Sequence, residues 1–176
     1  RGGTVTGMWT RRRLRDGVPA LEVATRSRST TLVVSLSGDG TVVAIGAPFA
    51  DANGTNSGSV RVHAWSSTEL DWLQRGDDLE GEAVDDSFGA SVALSDDGTV
   101  VATGANYNDG NSVDSGHVRV HQWSGETWKQ LGADLEGEVA HDQAGFAVAL
   151  SGDGRRVAIG ANRNSDAGTD AGHTRI

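Results

Sequence analysis

An all-β fold made of repeated antiparallel units is what this sequence predicts, on three observations. The segment LSGDGTVVAIGA at 36–47 returns as LSDDGTVVATGA at 94–105 and as LSGDGRRVAIGA at 150–161. Short β-branched runs are separated by Asp-Gly pairs and by clusters of Gly, Asn and Ser, the punctuation of hairpins. Helical periodicity of apolar residues is absent, and the stretch 77–87 is too acidic and too interrupted by glycine to form a packed helix.

The copies begin 58 and 56 residues apart, a spacing that means stacked or radially arranged modules. A unit of that size buries little core alone, so its stability must come from its neighbours. Gly2 to Trp9 matches Gly116 to Trp123 in its first and last residues, so residues 1–13 read as the tail of a preceding unit. Three units follow at 14–71, 72–127 and 128–176. The first is degenerate in its opening half: ALEVATRSRSTTLVVSL from Ala20 aligns with DLEGEAVDDSFGASVAL from Asp78, with Arg26 and Arg28 at polar or acidic positions.

Within the second unit, Ala90 to Leu94 and Thr99 to Thr103 flank Asp96-Asp97-Gly98 as a hairpin. Asp-Gly supplies the positive φ of a tight turn, which gives Asp39, Asp97 and Asp153 a structural task. A polar loop then leads to Gly116, a third strand covers Val118 to Trp123, Ser124 to Glu126 turn the chain, and Trp128 to Leu131 make a fourth strand. Four short antiparallel strands per unit define a blade, and the predicted architecture is a β-propeller fragment of about three blades; a closed ring takes about four to eight.

Composition narrows the function. The chain has 176 residues, no Cys and a net charge of −9, so thiolate metal sites and disulfides are excluded. No apolar run approaches the roughly 20 residues needed to span a bilayer, and no membrane insertion is expected. Residues 1–30 hold seven Arg against two acids, whereas 70–150 hold sixteen acids against three bases. The acidic body argues against nucleic acid as partner, because phosphate recognition draws on clustered Lys and Arg. The run RRRLR at 11–15 reads as a solvated entry segment.

Phe88-Gly89 ahead of a strand, the Ser-x-Asp-Gly turn and Gly46-Ala47-Pro48 after the next strand together resemble the FG-GAP repeat of the integrin α-chain propeller. Residues 128–138, WKQLGADLEGE, look like large FG-GAP-like repeat proteins of marine algae and bacteria. The resemblance implies a binding or adhesion scaffold at a cell surface or outside the cell. The departures are specific: copy three has Ala144-Gly145, copy one has Thr30-Thr31, and Gly-Ala-Pro becomes Gly-Ala-Asn at 104–106 and 160–162. Many such blades carry a calcium loop D-x-[DN]-x-D-G-x-x-D, since Ca²⁺ takes about six to eight oxygens. Here its four positions fall on Ala93, Ser95, Asp97 and Val101, with the same single carboxylate in the other copies, so no metal and no cofactor is expected.

Strand alternation puts the loop between the second and third strands on the same rim as the connection to the next blade. That rim collects fifteen of the 24 acidic residues. Asp51, Asp109, Asp114, Asp166 and Asp170 in the loops, with Asp85, Asp86 and Asp142 in the connections, are the candidate binding residues for a protein or glycan ligand. Catalytic residues are not expected: the pair Glu80 and Glu82 recurs as Glu136 and Glu138, and a motif repeated in successive blades is more economically a connecting element than one asymmetric active site. His63 and His121, in VRVHAW and VRVHQW, are expected to pack between blades, and His117 and His173, each following a loop glycine, to be exposed. Trp65, Trp72, Trp123 and Trp128 bracket turns and are expected to cover blade interfaces. The alternatives are an accessory or rim-active propeller of a secreted hydrolase, and a structural subunit joined through open blade edges.

Overall fold

The structure is a computed structural model describing residues 32–176. The Arg-rich run, the tail of a preceding unit and the degenerate opening of the first unit lie outside the described residues. Three antiparallel sheets account for every strand, and among the described residues there is no helix, and so none long and apolar enough to cross a membrane.

In the first sheet β1 (Val33–Leu36), β2 (Val42–Ala47), β3 (Ser59–Ser66) and β4 (Asp71–Gln74) run as a meander. The two-residue β5 (Leu79–Glu80) continues the β4 edge and pairs with the start of β3. The second sheet repeats the plan with β6 (Ser91–Leu94), β7 (Val100–Ala105), β8 (His117–Trp123), β9 (Trp128–Gln130) and β10 (Leu135–Glu136). The third contains β11 (Ala144–Leu150), β12 (Val157–Ala161) and β13 (His173–Arg175). The repeat limits at 71/72 and 127/128 therefore fall within β4 and at the start of β9, inside sheets. A sequence period has no phase of its own; the sheet boundaries lie in the connections 81–90 and 137–143.

The hairpin turns form as their chemistry requires. One carboxylate oxygen of Asp97 accepts from the Ser95 hydroxyl at 2.7 Å and the Thr99 amide at 2.9 Å, and Gly98 takes φ 65°. Asp39 is bonded in the same way by Ser37 and Thr41, and Asp153 by Ser151 and Arg155. These bonds hold all three carboxyls below the usual carboxylate range. The turns also join to one another, Gly38 N donating to Asp96 O at 2.8 Å and Asp96 N to Gly152 O at 2.9 Å.

Period-two alternation gives each strand two faces. On β3, Val60 and Val62 point into a core that contains Val42, Ala44, Phe88, Val92, Leu94 and Val101, the seam between the first and second sheets. A second seam, built on Ala102, Val118, Ala144 and Ile159, joins the second sheet to the third. Both faces of the middle sheet are thus buried, and its strands β6 and β7 are buried along their whole length. On β8 the opposite row, His117, Arg119, His121 and Trp123, faces back toward the first sheet, where Arg75 lies 5.5 Å over the Trp123 ring.

Candidate functional site

The rim that gathers the acids is built by the connection 81–90 lying along the loop 48–58. Asp85, Ser87 and Phe88 donate their amides to the carbonyls of Thr55, Asn56 and Ser57 at 2.8 to 3.0 Å. The same ladder recurs one unit on, with His141, Gln143 and Ala144 bonded to Val113, Asp114 and Ser115 at 2.8 to 3.1 Å. Asn56, Asp85, Ser87, Asp114, His141 and Gln143 all hold positive φ there. Such a conformation costs about 1 to 2 kcal/mol per side-chain-bearing residue, which the ladder bonds offset.

Most of the acids expected to meet a ligand also close these loops. Asp51 accepts from the Asn56 amide at 3.0 Å and Asp109 from the Asp114 amide at 2.8 Å; in the third sheet the hydroxyl of Ser165 takes that part, accepting from the Asp170 amide at 3.1 Å. Asp85 accepts from the Asn56 side chain at 2.8 Å, and Asp114 faces His141 Nδ1 at 3.2 Å. Asp86 and Asp142 are not on the rim surface at all, being 3% and 2% exposed. Asp86 accepts from Ala83 N and Asn108 Nδ2, and Asp142 from Glu138 N and Val139 N, so the expectation of ligand contact is corrected for both. A short acid one turn beyond unpaired amides folds inward to satisfy them. Asp51, Asp85, Asp109, Asp166 and Asp170 keep exposed surface.

Beneath the rim, between the second sheet and the connection 81–90, lies a cluster that the sequence reading missed. Glu136 is the cross-strand partner of His117, and Asp134, two residues earlier, shares its face. Arg119 donates from Nε and Nη2 to Asp134 at 2.7 to 3.0 Å and pairs with Glu82 of the connection. Gln130 also donates to Asp134. The Arg119 hydrogen bonds hold the Asp134 carboxyl below its ordinary range, and the same bonds keep the guanidinium charged. Burial pushes Glu136 up.

His117 is 1% exposed, which corrects the expectation of an exposed side chain. A residue after a loop glycine is on the surface only if nothing folds over it, and here β10 returns alongside β8. Burial, then Arg119, lowers its pKa against the pull of Asp134. The first sheet carries the same framework, Arg61 with Asp78 at 2.8 Å and Gln74 with Asp78 at 2.8 Å, but Ser59 stands where His117 does. In the third sheet Arg175 reaches Glu138 at 3.2 Å, the counterpart of Arg119 with Glu82. The four described tryptophans pair within their sheets: Trp65 meets Trp72 at 5.8 Å, Trp123 meets Trp128 at 5.3 Å, and Trp128 Nε1 donates to Arg75 O at 2.7 Å across the first seam.

Fold and site define an all-β protein of stacked antiparallel meanders with a stitched acidic rim. No family model matches the chain, and no curated protein matches it. Among solved structures it is similar to hydrazine synthase of Kuenenia stuttgartiensis, at 13% identity and TM-score 0.43, over 89% of this chain and 32% of that one. It is similar also to the tricorn protease, at 11% identity and TM-score 0.42, over 76% of this chain and 11% of that one. The chain spans under a third of either protein, and nothing of their activities passes to it.

Proposed function

We propose that the chain is a run of β-propeller blades of the FG-GAP type, serving outside the cell or at its surface as a non-enzymatic scaffold that binds a protein or glycan through its rim loops. The observation that carries this reading is the repeated joint: the connection after one sheet is laced to the loop of that sheet by the same backbone bonds in both places where two sheets meet. Such lacing makes the rim rigid, and a rigid rim displays loop tips with little ordering cost on binding. The tips carry exposed acids, Asp51, Asp85, Asp109, Asp166 and Asp170, which suit a basic protein surface. Gly160, Ala161 and Gly172 of the third unit repeat Gly46, Ala47 and Gly58 of the first, the glycine half of the same joint.

Surface plasmon resonance of the full chain against cationic peptides and a glycan array tests the function. A partner whose binding weakens as salt rises and drops on the joint substitution Asp109→Asn and Asp166→Asn supports the rim reading. Equal affinity in that variant refutes it.

A further inference from the structure

We propose that His117, Asp134 and Glu136 form a binding site for a divalent transition-metal ion of the zinc class. The donor atoms of the three residues lie within 4.8 Å of one another, with His117 Nδ1 at 3.6 Å from Asp134 Oδ2. At that separation they share no hydrogen bond, and among the described residues neither ring nitrogen of His117 has a hydrogen-bond partner. Glu136 Oε2 is likewise buried without one.

The chemistry of the neighbours makes this arrangement incomplete. A neutral imidazole has one N–H donor and one lone pair. Ionised carboxylates only accept, so Asp134 and Glu136 can satisfy the N–H and cannot satisfy the lone pair. The guanidinium of Arg119 is committed to Asp134 and Glu82. A buried lone pair ringed by acceptors is completed by a Lewis acid, which the same acceptors also bind. Charge agrees: Arg119 against Asp134, Glu136 and Glu82 leaves two negative charges, which a divalent ion neutralises, and buried Asp86 adds a third nearby.

Imidazole selects against Ca²⁺ and Mg²⁺, which take oxygen ligands, and suits zinc, which takes His nitrogen at about 2.0 to 2.1 Å and carboxylate oxygen at about 2.0 to 2.2 Å. A tetrahedron of those bonds places its donors about 3.3 Å apart, so the observed spacing closes by small rotations. Water supplies the fourth position, and the ion enters past Asp134 and Glu136, which are only partly buried. The serine at the His117 position of the first sheet leaves that sheet without the imidazole, and the equivalent His173 of the third lies instead with Glu138 and Asp166.

The test uses the full chain stripped with chelator and titrated with Zn²⁺ alone by calorimetry in a non-chelating buffer at pH 7.5, alongside ¹⁵N-imidazole NMR. We expect one tight equivalent, a shift of a single buried imidazole, and at least a tenfold loss of affinity in His117→Gln and in the nearly isosteric Glu136→Gln. His173→Gln, in the exposed group with Glu138 and Asp166, leaves that equivalent in place. No binding at millimolar Zn²⁺, binding lost only in His173→Gln, or binding unchanged in folded Glu136→Gln with no buried imidazole shift overturns the proposal. Where His117→Gln does not fold, Glu136→Gln and the wild-type NMR decide.

Discussion

Gly46 of β2 and Gly89 of the connection into β6 touch backbone to backbone: a Cβ on Gly46 would collide with the Gly89 carbonyl oxygen. Gly104 stands in the same relation to Gly145 one unit later. The two glycine motifs that mark the repeat are therefore the two halves of one joint. Gly-Ala ends the second strand of one sheet, and Phe-Gly or Ala-Gly begins the next. Side chains are excluded there because the sheets approach as closely as main chains allow.

Phe88 fills the first joint at 1% exposure, in the core formed by both sheets. Phe88→Ala is expected to cost about 3 kcal/mol, within the range for deleting a buried aromatic ring. Urea unfolding followed by tryptophan fluorescence should show a lower midpoint with an unchanged slope.

Arg119 and Arg175 make equivalent bridges to the preceding connection in different surroundings. Arg119 is 9% exposed and holds two carboxylates, whereas Arg175 and Glu138 both have side chains more than 40% exposed. Arg119→Gln should therefore destabilise by about 3 kcal/mol through stranding partly buried charge, and Arg175→Gln by less than about 1 kcal/mol. Paired urea titrations at pH 7 check the contrast.

His121 gives the fold a dependence on mild acid. Burial, followed by Arg119 on the same face and opposed by Asp134, lowers its pKa to about 4. The unfolded chain takes up this proton near the ordinary value of 6.5, so between those values it binds more protons than the folded chain. This contribution is complete above pH 6.5 and is lost as pH falls toward 4, at up to about 1.4 kcal/mol per pH unit, less for a half-buried ring. His63, also lowered by burial, acts in the same direction. His121→Gln should flatten the fall in urea midpoint between pH 6.5 and 4.5, and an unchanged slope would remove His121 as its source.

What was legible in the sequence was local. The Asp39, Asp97 and Asp153 turns need only residues within a few positions, and Val60 and Val62 declare their face by alternation against Arg61 and His63. What escaped was set by pairs distant along the chain. The fate of Asp86 depends on Asn108, and that of His117 on the return of β10. The acids of the rim read as free because composition records their charge and not the amides of Asn56 and Asp114 that bind them. The meeting of Gly46 with Gly89 was hidden because each glycine has a local excuse as a turn or strand end.

The role of the repeat motif as an inter-sheet joint is tested most directly by comparing two equivalent glycines in urea unfolding of the full chain. Gly104 lies against the Gly145 carbonyl, whereas a Cβ on Gly160 would meet Ala147 at 3.5 Å or more, ordinary van der Waals contact. Gly104→Val is expected to lose the cooperative transition or lower its midpoint severely, and Gly160→Val to leave it nearly unchanged. Equal midpoints for the two variants would contradict the joint and make the glycine a feature of the single strand.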